Sequence, residues 1–564
     1  MANLNQPLES KVSPGRSEDK RGLLGVGSWR KVSGKREENS FLHGALVLAG
    51  AGLGSRALGA IYRIILPRFL GREGMGLYDT AYLVYSLVLG FSSVGVPIAI
   101  SKLVAERVAQ KDSLGVQRVF RVSEALLATF GLVFSVGLWL GAPFLSQYVY
   151  VDRRTYYPLV AVAPAIFFVS ILAGLRGFFQ GMQMMAPSAV SQIVEQVVRV
   201  ATVFALTFLF LPRGIGYAAA GAAFGATTGA IFGLFYLIKC FFTHRAELRV
   251  PGRKQRASTP GNLEILHQVI AITIPISLAA IVLPIMGVID STVVPARLMA
   301  TGYSPSEATG QFGLLRYASV LVNLPMMVTG ALAISLVPSI SEARVMVDLP
   351  AVRSRASTAV RMAVSFTLPA AGGLYLLAPG ITDLLYGAPE AGPALAALST
   401  GLVFLGLQQV TSGILQGMGH PELPVRNLCF GAVVKVALTW ILTVELGIRG
   451  AALASAVGFA TACTLNLICT YRAVGGFLEP GKHFLKPAFS VLVMAVVVKA
   501  THSYLATLFE SSAFPTLGSI AAGILTYGFV LAAVGGLTAR DVEAIPGLGP
   551  ALSSSLRRFG VLVK

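Results

Sequence analysis

The chain has 564 residues, of which 54% are hydrophobic and 13% charged, and its mean hydropathy is +0.71. That balance excludes an ordinary water-soluble enzyme of this length. The net charge of +19 would suit nucleic acid in a polar chain; here it reads as membrane topology and attraction to anionic lipid, with no nucleic-acid partner.

Residues 1–40 are polar and mixed in charge, which predicts a disordered cytoplasmic tail without a cleavable signal. Apolar runs of about 20 residues then recur to residue 538, the length a helix needs to span a bilayer. Fourteen spans are expected, at 42–66, 77–101, 122–148, 157–179, 187–211, 215–242, 264–289, 311–336, 358–380, 393–416, 424–446, 448–474, 483–503 and 517–538. No period-2 alternation runs through them, so the expected fold is all-α and polytopic. Eight Lys and Arg before Phe41, and basic stretches after spans two and six, place the N-terminus in the cytoplasm. An even number of spans returns the C-terminus to the same side.

A six-residue pattern occurs twice. Gly177-Phe178-Phe179-Gln180-Gly181-Met182 returns 236 positions later as Gly413-Ile414-Leu415-Gln416-Gly417-Met418. Arg199 and Lys435 share that offset, as do Glu106 and Glu342, while Gly214-Ile215 returns 233 positions later as Gly447-Ile448. The expected organisation is a six-helix lobe at 41–245, a basic linker at 246–262 and a second lobe at 263–475. Accessory helices follow at 476–538, and a cytoplasmic amphipathic tail at 539–564. Two parallel repeats of six spans would surround a central cavity, the common plan of duplicated transporters.

Other motifs have ordinary explanations. The four cysteines show no C-x-x-C spacing and the six histidines form no ligand set, so no metal site or cofactor is expected. Gly50, Gly52 and Gly54 imitate a phosphate loop, but they lie inside a span and read as close helix packing. Ile545-Pro546-Gly547-Leu548-Gly549-Pro550 imitates a DNA-contact hairpin and reads as part of an interfacial cap.

Charges within the spans carry the functional reading. An ionised group near the bilayer centre costs about 2.5–3.5 kcal/mol on insertion scales, so each should face a cavity or a partner. Arg56 and Arg63 lie seven residues apart, on one face of span one. Glu195 and Arg199 are stacked at i, i+4 in span five. Arg176 closes span four, Arg316 opens span eight, and Lys435 lies inside span eleven. The acids are Asp79 and Glu124 near span ends, Glu195 within a span and Asp290 at the exit of span seven; Asp79, Glu195 and Asp290 are the groups a proton or Na⁺ could use for coupling. The cavity is therefore expected to be cationic, and guanidinium groups fork well onto phosphate oxygens.

Ser55-Arg56-Ala57-Leu58-Gly59, residues 70–78, residues 95–102 and residues 175–182 carry a resemblance. With residues 187–192 and 195–199, and more weakly 336–342, they resemble the stage V sporulation protein B family. That family lies in the multidrug/oligosaccharidyl-lipid/polysaccharide exporter superfamily and is similar to the lipid II flippases of bacterial cell-wall synthesis. The resemblance implies two lobes around a V-shaped cavity and alternating access in the bacterial cytoplasmic membrane. It also implies a lipid-linked glycan cargo and a setting among cell-wall synthesis proteins. Its first-span arginines would meet the cargo's pyrophosphate, which gives that role to Arg56 and, with a one-residue shift, to Arg63. Spans thirteen and fourteen would form a groove for the lipid tail. Two rivals are a cation-exporting multidrug transporter of the same superfamily, which would want exposed carboxylates, and a membrane glycan polymerase. The latter would need a large outer loop, whereas the longest such segment, 290–310, holds only Asp290 and Glu307 as acids.

Overall fold

The computed structural model describes residues 34–90, 95–244 and 261–536. Most of the expected tail, the basic linker and the C-terminal cap with its hairpin-like motif lie outside those residues. Every regular element among the described residues is helical. That follows from the solvent, because a helix satisfies its own backbone groups where water cannot.

The first half contains α1 (Gly34–Ile65), α2 (Pro67–Gly90), α3 (Val96–Ala109), α4 (Ser113–Phe144), α5 (Tyr156–Gly181), α6 (Met185–Phe210) and α7 (Ile215–Thr243). The second contains α8 (Asn262–Met299), α9 (Pro305–Val345), α10 (Leu349–Leu376), α11 (Ala378–Tyr386), α12 (Gly392–Ser399), α13 (Leu402–Gly417), α14 (Glu422–Leu446) and α15 (Ile448–Val474). Two helices follow, α16 (Lys486–Leu508) and α17 (Ala513–Ala533). Among the described residues eleven helices are long and apolar enough to cross a membrane, and there are twelve if Pro389–Ser399 with α13, bent by 47°, is taken as one span. The α1 helix and the α2–α3 pair, which carry Arg56, Arg63, Arg72 and Asp79, take the places of the first two expected spans.

Several boundaries differ from expectation. Helix α1 begins at Gly34, inside the expected tail. The second span is two helices, with Gly71 at φ 63° and ψ −179° putting a further kink near the start of α2. The expected twenty-residue outer segment shrinks to 300–304, because α8 runs on to Met299 and α9 starts at Pro305. A capping box fixes that start: the Ser304 side chain accepts from the Glu307 N–H, and the Glu307 carboxylate accepts from Ser304 N–H.

The duplication is visible in the backbone. Lys111 and Val347, 236 positions apart, both adopt φ 55°, and each precedes an aspartate that caps the next helix. Asp112 accepts from Gly115 N–H at the start of α4 and Asp348 from Ala351 N–H at the start of α10, the third span of each half. Packing repeats with the same offset. A β-carbon on Gly177 would lie 2.7 Å from the Pro97 carbonyl oxygen, and one on Gly413 would lie 2.6 Å from that of Ala333. Side chains at those two sites would force α5 off α3 and α13 off α9.

The halves meet where α2 crosses α9, and the crossing is reciprocal. A side chain on Gly76 would strike the Thr309 carbonyl, and one on Gly313 would strike the carbonyl of Arg72. Gly313 follows Gly76 by 237 positions, and Thr309 follows Arg72 by the same number. Equivalent residues thus exchange contacts across a pseudo-twofold axis, as at an isologous dimer interface. Tyr78, Tyr85, Phe312 and Tyr317 are fully buried around the crossing, within one apolar core shared by both halves.

Symmetry fails at α8. Helix α1 lies along α6, with Gly52 and Gly59 against the side chains of Gln192 and Gln196 and the Ser55 hydroxyl at 3.5 Å from the Gln192 carbonyl. The first part of α8 instead leans on the opposite half, where Gly95 abuts Thr273 and Ser277. A 740 Å³ cavity lies between α9, α13 and the start of α14, lined by Gly330, Ile334, Gln408, Ser412, Gln416 and Leu428 among others. The pair α16–α17 packs on α10 and α11, tied by the Tyr527 hydroxyl donating to the Ser365 carbonyl at 2.7 Å.

Candidate functional site

Three charged clusters contain eight of the nine residues singled out in the sequence. The first straddles the crossing. Arg63 near the end of α1 and Arg316 on α9 both approach Asp79 on α2, at 4.0 and 3.5 Å, and the Asp79 side chain is 1% exposed. Arg316 follows Asp79 by 237 positions, so the two halves pair a carboxylate with a guanidinium at equivalent places on their second spans. Expected near span ends, both instead lie well inside their helices, since α2 and α9 begin earlier than the apolar runs suggest.

This pairing is loose. Neither Asp79 oxygen accepts a hydrogen bond among the described residues, and Arg63 Nη2 and Arg316 Nε donate none. A buried carboxylate held only by charge at these distances keeps much of its desolvation cost, so a ligand offering closer partners to the arginines can compete for them. Aromatic rings surround the cluster. The Arg63 guanidinium stacks 4.4 Å from the Tyr82 ring centre, and the hydroxyls of Tyr62 and Tyr78 are 3.2 Å apart.

The second cluster joins α5 to α6. Arg176 donates to Glu195 at 2.9 Å and to the Ser191 hydroxyl at 2.9 Å, and Arg199 donates to the other Glu195 oxygen. Two guanidinium groups therefore share one carboxylate, and Arg199 Nε is buried without a hydrogen bond. In the third cluster Lys435 on α14 meets Asp290 on α8 at 2.5 Å. Asp290, expected at a helix exit, is inside α8, where the ammonium neutralises it and lets the helix continue.

Arg56 joins none of these. It is exposed on α1, two turns before Arg63 on the same face, and has no polar partner among the described residues. The six cations and three acids leave an excess of three positive charges. None of the nine residues lines the 740 Å³ cavity, whose lining is uncharged.

Sequence reasoning missed two features. Tyr78, Tyr82 and Tyr85 form an aromatic row on α2, with ring centres of neighbours 5.7 and 5.4 Å apart; their i, i+4, i+7 spacing was a usable signal. Near the start of α2, Arg154 pairs with Glu73 at 3.1 Å and Asp152 at 2.7 Å, a link between distant segments that spacing alone does not show.

A duplicated all-helical bundle with an arginine-rich seam defines a multi-pass membrane protein of the transporter class. The polysaccharide biosynthesis protein family matches residues 41–344, and the chain belongs to it. Within it, the chain groups with stage V sporulation protein B and the lipid II flippases, as the sequence resemblance implied. Stage V sporulation protein B of Bacillus subtilis is 30% identical over 91% of this chain and 99% of its own length. Lipid II flippase MurJ of the same organism is 26% identical over 78% of this chain and 84% of its own. Among solved structures, lipid II flippase MurJ in an inward closed conformation aligns with a TM-score of 0.67 at 18% identity, covering 87% of this chain and 98% of that one. An inward-facing multidrug resistance MATE family transporter aligns with a TM-score of 0.63 at 15% identity, over 76% of this chain and 98% of that one. These two likenesses establish the fold alone.

Proposed function

We propose that this chain is a flippase that carries an undecaprenyl-pyrophosphate-linked cell-wall precursor across the bacterial cytoplasmic membrane by alternating access. The stage V sporulation likeness favours spore peptidoglycan as the setting. The observation that carries the reading is the loose Arg63–Asp79–Arg316 triad at the crossing of the two halves. A pyrophosphate offers several oxygens at hydrogen-bond distance where Asp79 offers one carboxylate at longer range, so it would draw both guanidinium groups to itself. Arg56, exposed and two turns away, would meet the headgroup first; Arg199 and Arg176 supply further positive charge. The amides and hydroxyl of Gln408, Gln416 and Ser412 suit a sugar-bearing headgroup.

Coupling follows from the same exchange of partners. Once the pyrophosphate takes the arginines, Asp79 is left to bind a proton or Na⁺, and Glu195 and Asp290 are the parallel groups in the other clusters. A proton gradient, a Na⁺ gradient or the membrane potential would then drive the cycle. The glycan stays chemically unchanged, so the chain acts as a transporter and not as an enzyme. A cation exporter of the same superfamily is disfavoured by the three surplus positive charges.

The test is translocation in proteoliposomes of a labelled undecaprenyl-pyrophosphate-linked sugar. The double variant Arg56→Ala, Arg63→Ala is expected to fall to the protein-free rate, and fluorescent cations are expected not to move in either protein. Wild-type transport by the double variant would refute the site.

A further inference from the structure

A basic chamber lies away from the crossing, at the end of the bundle where α15 stops, α16 begins and α10 begins. Its volume is 610 Å³, and its wall includes Arg353, Arg361, Lys482, His483, Lys486 and Glu479. Four permanent cations face one carboxylate. Lys482 takes that carboxylate at 2.7 Å, and this hydrogen bond holds Glu479 below the usual carboxylate range. Arg353 and Lys486 have no ion-pair partner among the described residues. Each is instead anchored to backbone: Arg353 Nε donates to the Val474 carbonyl at 2.9 Å, and Lys486 Nζ donates to that of Gly535 at 2.9 Å.

The floor is built with unusual care. His483 is 1% exposed, with Nε2 at 2.9 Å from the Ser357 hydroxyl and Nδ1 at 2.7 Å from the Glu479 carbonyl. It thereby clamps the 475–485 connection onto α10. Gly475, at φ 85°, lies directly against the Arg353 guanidinium, where a side chain would displace it. Lys482 and Lys486 fall in the first turns of the helical segment that opens at Gly481. Cations there run against the helix dipole, a placement that becomes favourable when an anion sits between them and the amide ends.

We propose that this chamber binds the phosphate headgroup of an anionic phospholipid of the surrounding bilayer. Beside the basic wall, Leu485 just before α16 and Phe489 one turn on are 68% and 53% exposed, an apolar face next to the chamber. An apolar surface beside a cationic chamber fits a ligand with acyl chains and a phosphate, where free phosphate would use only the second. The bundle end concerned is the one that basic loops assign to the cytoplasmic leaflet. The site is separate from the α2–α9 crossing and stands whether or not the cargo assignment holds.

The test is native mass spectrometry of the full-length protein in detergent with added phosphatidylglycerol or phosphatidylcholine. Wild type is expected to retain phosphatidylglycerol preferentially. Arg353→Gln, Arg361→Gln and Lys482→Gln together should weaken its apparent Kd by about tenfold or more, while Arg353→Lys with Arg361→Lys stays within about twofold of wild type. Lys482→Gln alone, at an exposed position, should give a smaller loss in a folded protein. Equal retention of the two lipids by wild type, or undiminished phosphatidylglycerol binding by the triple variant, would overturn the proposal. Complete displacement of the lipid by an equal concentration of inorganic phosphate would overturn it as well, by assigning the site to the free anion.

Discussion

Lys435 and Asp290 show how a membrane interior tolerates charge. The pair is nearly buried, with side chains 6% and 17% exposed, and each group is expensive without the other. Lys435→Ala is therefore expected to destabilise the protein by about 3–5 kcal/mol, and adding Asp290→Ala should restore most of it. Thermal unfolding of the purified single and double variants measures this directly; an additive loss would show the pair to be uncoupled. The charges themselves were legible from the sequence, as was the Glu195–Arg199 pairing, because i, i+4 spacing is local. The partner of Arg316 was not. Asp79 lies 237 positions away, and only the crossing of α2 and α9 brings them within 3.5 Å.

Among the helices, the decisive contact is the reciprocal crossing at Gly76 and Gly313. Replacing Gly76 with Leu inserts a side chain where the Thr309 backbone now lies, a strain of about 1–3 kcal/mol that separating the helices would relieve. Cysteines placed at Arg72 and Thr309 should cross-link readily in the parent chain and lose most of that yield when Gly76→Leu is added. An unchanged yield would mean that α2 and α9 do not close at these glycines. The repeated G-x-x-Q-G-M pattern revealed the duplication because its glycines meet backbone in both halves. The turn at Lys111 and Val347 did not, since a lysine and a valine share nothing but φ 55°. Helix ends were also illegible where charged residues sit inside helices: apolar runs stop at Asp290, but the backbone continues because Lys435 neutralises it.

For the whole molecule, topology and cargo are linked through charge. Basic loops predict that the turn at Lys111 faces the cytoplasm and that at Tyr303 faces outward. In intact cells an impermeant thiol reagent should label Tyr303→Cys and spare Lys111→Cys; the reverse would invert the assignment of leaflets. On that orientation, the proposed route of the cargo between those faces would pass the arginine seam. Its role is tested most directly by the affinity of the purified protein for undecaprenyl pyrophosphate. Arg63→Gln with Arg316→Gln, combined with Asp79→Asn to hold the burial balance, should weaken binding by at least about tenfold, or about 1.4 kcal/mol. Wild-type affinity in that triple variant would contradict the seam as the pyrophosphate site.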